Sequence, residues 1–132
     1  MILEIRRYQH DKDFKILNDL RLKRNLEKTP EKEIPILGLV VTDKSTVVGM
    51  GFLRKCEGDY GILDSVITNP DCNSEQRHKA LDMIFTEIIY LSKTINIYNL
   101  IGFSSDWGMI RRSYNFGFKK SDHHVLSLSI GG

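Results

Sequence analysis

Residues 63–91 read LDSVITNPDCNSEQRHKALDMIFTEIIYL and predict a strand, a turn and a long helix. The Val, Ile and Thr side chains of residues 63–68 favour a strand, and the Asn-Pro pair at 69–70 ends it. From Asn73 onward, apolar residues recur at the three- and four-residue spacing of an amphipathic helix. They are Ala80, Leu81, Ile84, Phe85, Ile88 and Leu91. In α/β proteins, phosphate groups usually bind at such a strand-to-helix junction.

The chain before this stretch predicts a strand, a helix and a loop. Residues 2–8 alternate between apolar and polar side chains, as a half-buried strand does. Polar capping residues at 10–13 lead into a helical apolar pattern that continues to about residue 26. Residues 27–35 are charged and contain two prolines, so we expect a surface loop.

A β-hairpin is predicted between this loop and the central stretch. Residues 36–42 and 46–54 are apolar, β-branched runs, and Asp43-Lys44-Ser45 separates them as a turn. Gly49 and Gly51 lie inside the second run. Glycine in a strand usually marks a bulge or the close approach of another segment, and we expect one of these here.

After the long helix, the pattern predicts further elements: a strand at 95–103, a short helix capped by Ser105 or Asp106 and ending at Tyr114, a strand opening at 116–118, and a closing strand at 125–130. The predicted order is therefore β, α, β, β, β, α, β, α, β, β. Such an order predicts an α/β fold with a mixed central sheet and flanking helices.

Composition predicts an ordinary globular domain. The 132 residues are 41% hydrophobic and 27% charged, which favours one domain over residues 1–132. The net charge of +2 is too small to indicate nucleic-acid binding through field strength. No run approaches the roughly 20 apolar residues of a membrane span, and the amino terminus carries no secretory pattern, so we expect a cytoplasmic protein.

Cysteine and histidine positions predict neither a disulfide framework nor a metal site. Cys56 and Cys72 have no histidine at metal-ligand spacing. His123 and His124 share a late turn, far in sequence from His10. We expect solvated histidines and free thiols. The basic pairs at 111–112 and 119–120 are typical of solvated faces and give no clear nucleic-acid signal.

Three short features, together with the element order, carry a family resemblance. They are Val47-Val48-Gly49 after a hairpin, Asn69-Pro70 before the long helix, and Gly117-Phe118 after the short one. With them the sequence resembles the GNAT N-acetyltransferase superfamily over almost the whole chain. The resemblance implies a GNAT-like fold with acyl-CoA in a gap between the fourth and fifth strands. It also implies that the pyrophosphate contacts the loop at 71–78.

The family pattern at this loop is a proline, two free positions, RGxGxG, and a leucine three residues later. Pro70 and Leu81 keep that spacing. Between them, the arginine and the three glycines are replaced, in order, by Asn73, Ser74, Gln76 and His78. Glycine at such positions lets backbone N–H groups approach a phosphate closely. Acetyl-CoA or another acyl-CoA is the cofactor that the resemblance implies, and these replacements bear directly on how it would be held.

Two interpretations of the loop stay open. Arg77, His78 and Lys79 form a basic cluster that could hold phosphates by side chains, giving weakened or altered binding. Alternatively, Asn73 and Gln76 form a capping box, so that the helix satisfies its own free N–H groups.

The resemblance also implies a catalytic set. Backbone N–H groups of Val66, Ile67 and Thr68 would contact the acyl-CoA and the oxyanion. Asp64 stands where relatives often carry a carboxylate base, although a hydrogen-bonded strand acid is the simpler interpretation. General acid–base chemistry of this kind is what transfer from a thioester to an amine requires.

The general acid of the family is usually a tyrosine four residues before the glycine of the Gly-Phe pair. That position is Ser113 here, and its neighbour Tyr114 is turned by about 100° on a helix. Ser104 could offer a hydroxyl to the pantetheine arm or cap the short helix. Trp107 could serve as a lid or as a packing residue.

These features predict an acyl-CoA-dependent N-acyltransferase that transfers an acyl group, most simply acetyl, directly to an amine in a ternary complex. The amine could belong to a small molecule or a protein, and a homodimer is compatible with the sequence. The alternative is a catalytically inactive binding or regulatory protein with the same fold. A third hypothesis is another phosphate-bearing ligand held by Arg77 and Lys79.

Overall fold

The computed structural model describes residues 1–131, which form five β-strands and three α-helices. The strands are β1 (Leu3–Arg7), β2 (Leu37–Asp43), β3 (Thr46–Lys55), β4 (Tyr60–Thr68) and β5 (Asn99–Gly102). The helices are α1 (His10–Lys23), α2 (Ser74–Thr94) and α3 (Trp107–Asn115), with a 3-10 turn at Glu31–Glu33. The predicted strand, turn and long helix of residues 63–91 are confirmed, and β4 begins three residues earlier than expected.

The strands form one sheet in the order β1-β2-β3-β4-β5. β1 to β4 are antiparallel neighbours, and β5 is parallel to β4. The mixed sheet and the hairpin between β2 and β3 are thus confirmed. A parallel neighbour requires a crossover connection, and α2 provides it between β4 and β5.

Apolar side chains cover both faces of the sheet, because neighbouring residues of a strand point to opposite faces. On one face Leu39 and Val41 pack with Ile84 and Ile88 of α2. On the other face Val40 lies in a cluster with two leucines of α1 and with Met50, Phe52 and Ile67. The sheet is therefore a central layer between α1 and α2.

α2 packs directly on β3 at Gly51. A Cβ atom at Gly51 would lie 2.5 Å from Cγ2 of the fully buried Ile84. The close approach predicted for the glycines of this run is confirmed at this position. α2 has 21 residues, yet no helix within residues 1–131 is long and apolar enough to cross a membrane.

A buried ion pair joins β1 to the start of α1. Asp13 is fully buried and accepts two hydrogen bonds from the Arg6 guanidinium, at 2.7 and 2.8 Å. It also accepts one from the backbone N–H of Gln9, at 2.7 Å. Burial alone would raise the pKa of Asp13. These hydrogen bonds outweigh burial and hold that pKa below its ordinary value.

The strand predicted to open at 116–118 is wrong. Gly117 has φ +96°, and its N–H donates to the Tyr114 carbonyl, while the Phe118 N–H donates to the Ser113 carbonyl. These two hydrogen bonds form a Schellman motif, which ends α3. Phe116 and Phe118 then pack on Phe85, with ring centroids 5.1 and 6.1 Å away. The segment is a helix cap that covers α2, not a strand.

The closing strand predicted at 125–130 is also wrong. Residues 125–130 pair with no strand within the described chain, and Leu126 and Ile130 are 91% and 88% exposed. The alternating pattern of this segment fits a strand face, but a strand also requires a neighbouring backbone to pair with. The sheet of the single chain therefore ends at β5.

Candidate functional site

A gap opens between β4 and β5. The parallel pairing of the two strands ends with Leu63 opposite Gly102. β4 continues to Thr68, and within residues 1–131 no strand pairs with residues 64–68 on the β5 side. This β4–β5 gap is where the resemblance implied that acyl-CoA would lie.

A β-bulge in β4 lies beside the gap. Ser65 and Val66 together lie opposite the single residue Gly51. Ser65 has φ +50°, a left-handed conformation that costs free energy for a serine and often marks a functional site. A bulge leaves backbone groups outside the ladder, so backbone of β4 is available for a ligand near Val66. Ile67 is back in the ladder opposite Met50.

The end of β4 is held by α1, a contact that sequence reasoning missed. Arg24 donates to the Thr68 carbonyl at 2.8 Å and to its hydroxyl oxygen at 2.7 Å. Lys23 donates to Asp71 at 2.6 Å, and this hydrogen bond raises the pKa of the exposed lysine. Bases in the last turn of a helix were the only signal in the sequence, because the partners lie 44 and 48 residues away.

Asn69 organises the loop between β4 and α2. Its side chain donates to the Val47 carbonyl at 3.0 Å, and its backbone N–H donates to the Val48 carbonyl at 2.7 Å. Its side-chain oxygen accepts from the Asp71 N–H at 2.9 Å, and its carbonyl accepts from the Cys72 N–H. An Asn-Pro-Asp sequence is typical of such an Asx turn. That pattern could have identified Asn69 as more than a strand breaker.

The capping box at the start of α2 is confirmed as a geometry. The Asn73 side chain accepts from the Gln76 N–H at 2.8 Å, and the Gln76 side chain accepts from the Asn73 N–H at 3.0 Å. Gln76 also donates to Asp43 at the end of β2, at 2.8 Å. Asn73 and Gln76, two positions at which the resemblance implied a phosphate contact, therefore bond to each other, and Gln76 also bonds to the hairpin.

Most backbone N–H groups of the loop already have partners. Those of residues 69, 71, 72, 73 and 76 donate within the loop or to β3, and Pro70 has none. Only the N–H groups of Ser74 and Glu75 lack an acceptor within the part of the loop and helix that the structure describes. The Glu75 carboxylate adds negative charge at the same end. Among the backbone groups of the described loop, only these two N–H groups are therefore left to contact a pyrophosphate.

The basic cluster that follows is engaged in local contacts. Arg77 donates to the Cys72 carbonyl, and Arg112 of α3 donates to the His78 ring. Lys79 pairs with Glu75 at 3.3 Å and keeps 58% of its side chain exposed. Because such an exposed i,i+4 pair is weak, the ammonium of Lys79 is the group of this cluster that a phosphate could recruit.

Asp64 lies on β4 as a paired acid. Its carboxylate accepts from the Arg54 guanidinium at 2.8 Å and from the Ser65 hydroxyl at 3.1 Å. Arg54 also donates to the Glu33 carbonyl, which fixes the pair against the 3-10 turn. The simpler interpretation of Asp64, a hydrogen-bonded strand acid, matches these contacts. Each carboxylate oxygen accepts one hydrogen bond here and has a second lone pair that could take up a proton.

The other proposed groups lie on or before α3. Tyr114 is 40% exposed, and no hydrogen bond joins it to Asp64 in the described structure. The Ser113 hydroxyl donates to the Met109 carbonyl one turn earlier. The Ser104 hydroxyl oxygen accepts from the Asp106 N–H at 3.1 Å, which is a turn contact. In the described residues, Ser104 and Ser113 likewise form no hydrogen bond with Asp64.

Cys72 and the residue types that ligate metals are the remaining candidates for a reactive group. Burial raises the pKa of the Cys72 thiol, so this cysteine stays protonated near neutral pH. Across residues 1–131, no three His, Cys, Asp or Glu side chains are arranged to hold a metal ion.

Comparison with known proteins identifies the fold by structure and not by sequence. No protein-family model and no curated protein matches the sequence. Solved structures do match. A probable acetyltransferase from meticillin-resistant Staphylococcus aureus superposes with a TM-score of 0.75 at 14% identity, over 99% of this chain and 100% of that chain.

Two further structures extend this result. A GNAT-family acetyltransferase from Streptococcus pneumoniae gives a TM-score of 0.75 at 13% identity, over 97% of this chain and 98% of that chain. The PaiA N-acetyltransferase from Thermoplasma acidophilum, solved in complex with coenzyme A, gives 0.70 at 17% identity, over 94% of both chains. The predicted fold is thereby confirmed: the chain has the fold of the GNAT acetyltransferases.

Proposed function

We propose that the protein is an acyl-CoA-dependent N-acyltransferase that acts on an amine. The observation that carries this proposal is the β4–β5 gap with the bulge at Ser65 beside it. The gap exposes an edge of β4 along which a pantetheine arm can form backbone hydrogen bonds, as a peptide strand would. A structure with the same fold, the Thermoplasma acidophilum enzyme, was solved with coenzyme A.

When bound, acyl-CoA would supply the thioester whose acyl carbon forms the new bond to nitrogen as the bond to sulfur breaks. Backbone N–H groups near Val66 and Ile67 would stabilise the negative charge that develops on the carbonyl oxygen. Asp64, or a water chain that ends at it, would take the proton of the ammonium. Tyr114 is the candidate, by family position, to protonate the departing thiolate, and it would recover a proton from the second N–H that the nitrogen loses as the amide forms.

Phosphate binding in this proposal is weak and local. The Ser74 and Glu75 N–H groups and the ammonium of Lys79 would contact the pyrophosphate, and most of the affinity would come from the gap. We therefore expect acyl-CoA to bind less tightly than it would to a glycine-rich loop.

A second candidate function is favoured by the loop itself. The capping box and the Asx turn of Asn69 satisfy the N–H groups of Asp71, Asn73 and Gln76, which a phosphate could otherwise use. A non-catalytic binding or regulatory protein with the GNAT fold would need no more than this. Such a protein would not bind acyl-CoA.

Thermal unfolding with acetyl-CoA and coenzyme A separates the two candidates. A ligand that binds only the native state stabilises it by about 2.7 kcal/mol at a hundred times its Kd, so the melting temperature must rise. The proposal predicts a rise with both ligands and release of free thiol when primary amines are added with acetyl-CoA. An unchanged melting temperature at millimolar acetyl-CoA would reject the enzyme and leave the binding protein.

A Lys79→Ala variant, with Lys93→Ala at the other end of α2 as the matched control, tests the phosphate contact. We expect the first to reduce the temperature shift by acetyl-CoA and the second to leave it unchanged.

A further inference from the structure

The bulge in β4 turns the Ser65 side chain toward Asp64. In a regular strand, consecutive side chains point to opposite faces, so a serine directly after Asp64 would point away from it. Here the Ser65 hydroxyl donates to the Asp64 carboxylate at 3.1 Å. Asp64 lies opposite Phe52, which packs with α1. A Cβ at Gly51 would point at α2 and lie 3.5 Å from Cγ2 of Val66. Asp64 and Ser65 therefore present their oxygens on the α1 side, whereas Val66 faces α2.

The backbone conformation of Ser65 is unusual for its place in the fold. Three other non-glycine residues of the described chain have a positive φ. Asn25 and Asn96 each follow the cap residue of a helix, and Lys44 lies in the hairpin turn, where this conformation is common. Within residues 1–131, Ser65 is the only one of them inside a strand. Strain of this kind is often kept at functional sites.

The Ser65 hydroxyl can accept a hydrogen bond from a ligand. It gives its one proton to Asp64, and no group within residues 1–131 donates to its oxygen. Ser65 is half-buried, so its oxygen is not sealed off from solvent. On the other carboxylate oxygen, Asp64 accepts from the Arg54 guanidinium, which also bonds to the Glu33 carbonyl. Arg54 thus fixes Asp64, and Asp64 fixes the hydroxyl.

We propose that the Ser65 hydroxyl relays the proton of the acceptor ammonium to Asp64. This inference rests on the proposed function and assigns to a side chain the step that a water chain could otherwise perform. As an N–H bond of the ammonium breaks, its proton forms a new O–H bond on Ser65, and the original Ser65 proton moves to the Asp64 carboxylate. Ser65 stays neutral throughout, and the freed lone pair of the nitrogen attacks the acyl carbon. Ser65 directly precedes Val66, so the relay adjoins the backbone N–H proposed for the oxyanion.

Two variants of Ser65 test the relay with acetyl-CoA and the primary amine that gives the fastest thiol release with the wild type. Ser65→Ala and Ser65→Gly both remove the hydroxyl. We expect each to lower kcat about a hundredfold, the lower end of what a positioned proton-transfer group contributes, and to leave the melting-temperature shift by acetyl-CoA unchanged. Ser65→Gly should unfold at a higher temperature than Ser65→Ala, because glycine adopts a positive φ without strain. Lys44→Gly, the matched backbone change at φ +56°, should leave kcat unchanged.

The pH dependence of kcat separates a relay from a structural role. As the pH rises, more of the amine is already neutral and needs no proton acceptor, so the loss of rate in Ser65→Gly should shrink. A structural defect would reduce the rate equally at every pH. Asp64→Asn should also slow the reaction, and adding Ser65→Gly to it should have little further effect, because the two groups act as a unit.

Three results would overturn the relay while leaving the proposed function intact. They are an unchanged kcat in Ser65→Gly, a loss of rate that is the same at every pH, and a loss that multiplies fully with that of Asp64→Asn. A wild type that releases no thiol with any primary amine would instead overturn the relay and the proposed function together.

Discussion

The β4–β5 gap and the start of α2 adjoin each other but are built in different ways. The gap depends on buried packing, because α2 lies on Gly51 of β3 and α1 holds the end of β4 through Arg24. The start of α2 depends on exposed side chains, chiefly Asn73 and Gln76, which bond to each other. The difference teaches that the shape of the gap and the hydrogen bonds of the loop depend on separate sets of residues. Substitutions in the two regions should therefore have different effects.

The largest effect is expected at the buried anchor of α1. Asp13→Asn removes the charge opposite Arg6 and should destabilise the protein by about 3 kcal/mol, as the loss of one partner of a buried pair does. α1 also holds the end of β4 at its other end, so the gap should loosen as well. Asp11→Asn, in the same turn but exposed, should change stability by less than about 0.5 kcal/mol.

The same pair predicts a pH dependence. The folded state lowers the pKa of Asp13 below its ordinary 3.8, so its contribution to stability is complete above the unfolded pKa. This contribution is lost as the pH falls through the folded pKa. Urea unfolding from pH 7 to pH 2.5 should show a steeper acid loss for the wild type than for Asp13→Asn. If the free energies of unfolding of the two proteins fall in parallel with pH, another carboxylate controls the loss of stability in acid.

An intermediate effect is expected where α2 packs on the sheet. Gly51→Ala forces a Cβ to 2.5 Å from Ile84, and overpacking of this kind typically costs about 1–3 kcal/mol. Because Gly51 also faces the bulge of β4, acetyl-CoA binding should fall together with stability. Gly102→Ala adds a Cβ in open space at the end of β5 and should leave stability unchanged. A Gly51→Ala variant with wild-type unfolding would contradict the close packing.

How far the sequence predicted this molecule depended on whether a pattern was local. The helical spacing after Asn73, the capping box with Gln76 and the close approach at Gly51 were all predictable, because each depends on residues nearby or on one residue type. The end of α3 was predicted within one residue, but its cap was missed because Gly117 was assigned to a strand, although a glycine just after a helix is also a common cap.

The rest of the candidate site depends on contacts between distant residues. Nothing in the sequence joins Arg24 to Thr68, 44 residues away, or pairs Arg54 with Asp64 across two strands. The bulge at Ser65 is likewise invisible, since serine seldom adopts a positive φ. The alternating residues 125–130 had the correct period for a strand, but a period does not identify the partner strand.

A smaller effect is expected at the start of α2, where binding should change in the opposite direction to stability. Gln76→Gly removes the side chain that occupies the Asn73 N–H and should cost about 1 kcal/mol of stability. The freed N–H could then donate to the pyrophosphate. A negative charge at a helix N-terminus is stabilised by about 0.3–1 kcal/mol, so we expect acetyl-CoA to bind about two- to fivefold more tightly. Gln76→Ala frees the same N–H but keeps a Cβ. If Gln76→Gly binds acetyl-CoA more tightly than Gln76→Ala does, the difference measures how much the Cβ hinders the approach of the ligand to the backbone. Weaker binding by both variants would show that Gln76 itself contacts the ligand.

The division between gap and loop is tested most directly by calorimetric titration of S-acetylpantetheine against acetyl-CoA. The first ligand carries the arm and the thioester without the pyrophosphate and the nucleotide. If the gap supplies most of the affinity, the two dissociation constants should agree within about tenfold, or about 1.4 kcal/mol. A preference for acetyl-CoA of about a thousandfold would show that the pyrophosphate and the nucleotide supply most of the affinity and would contradict the account.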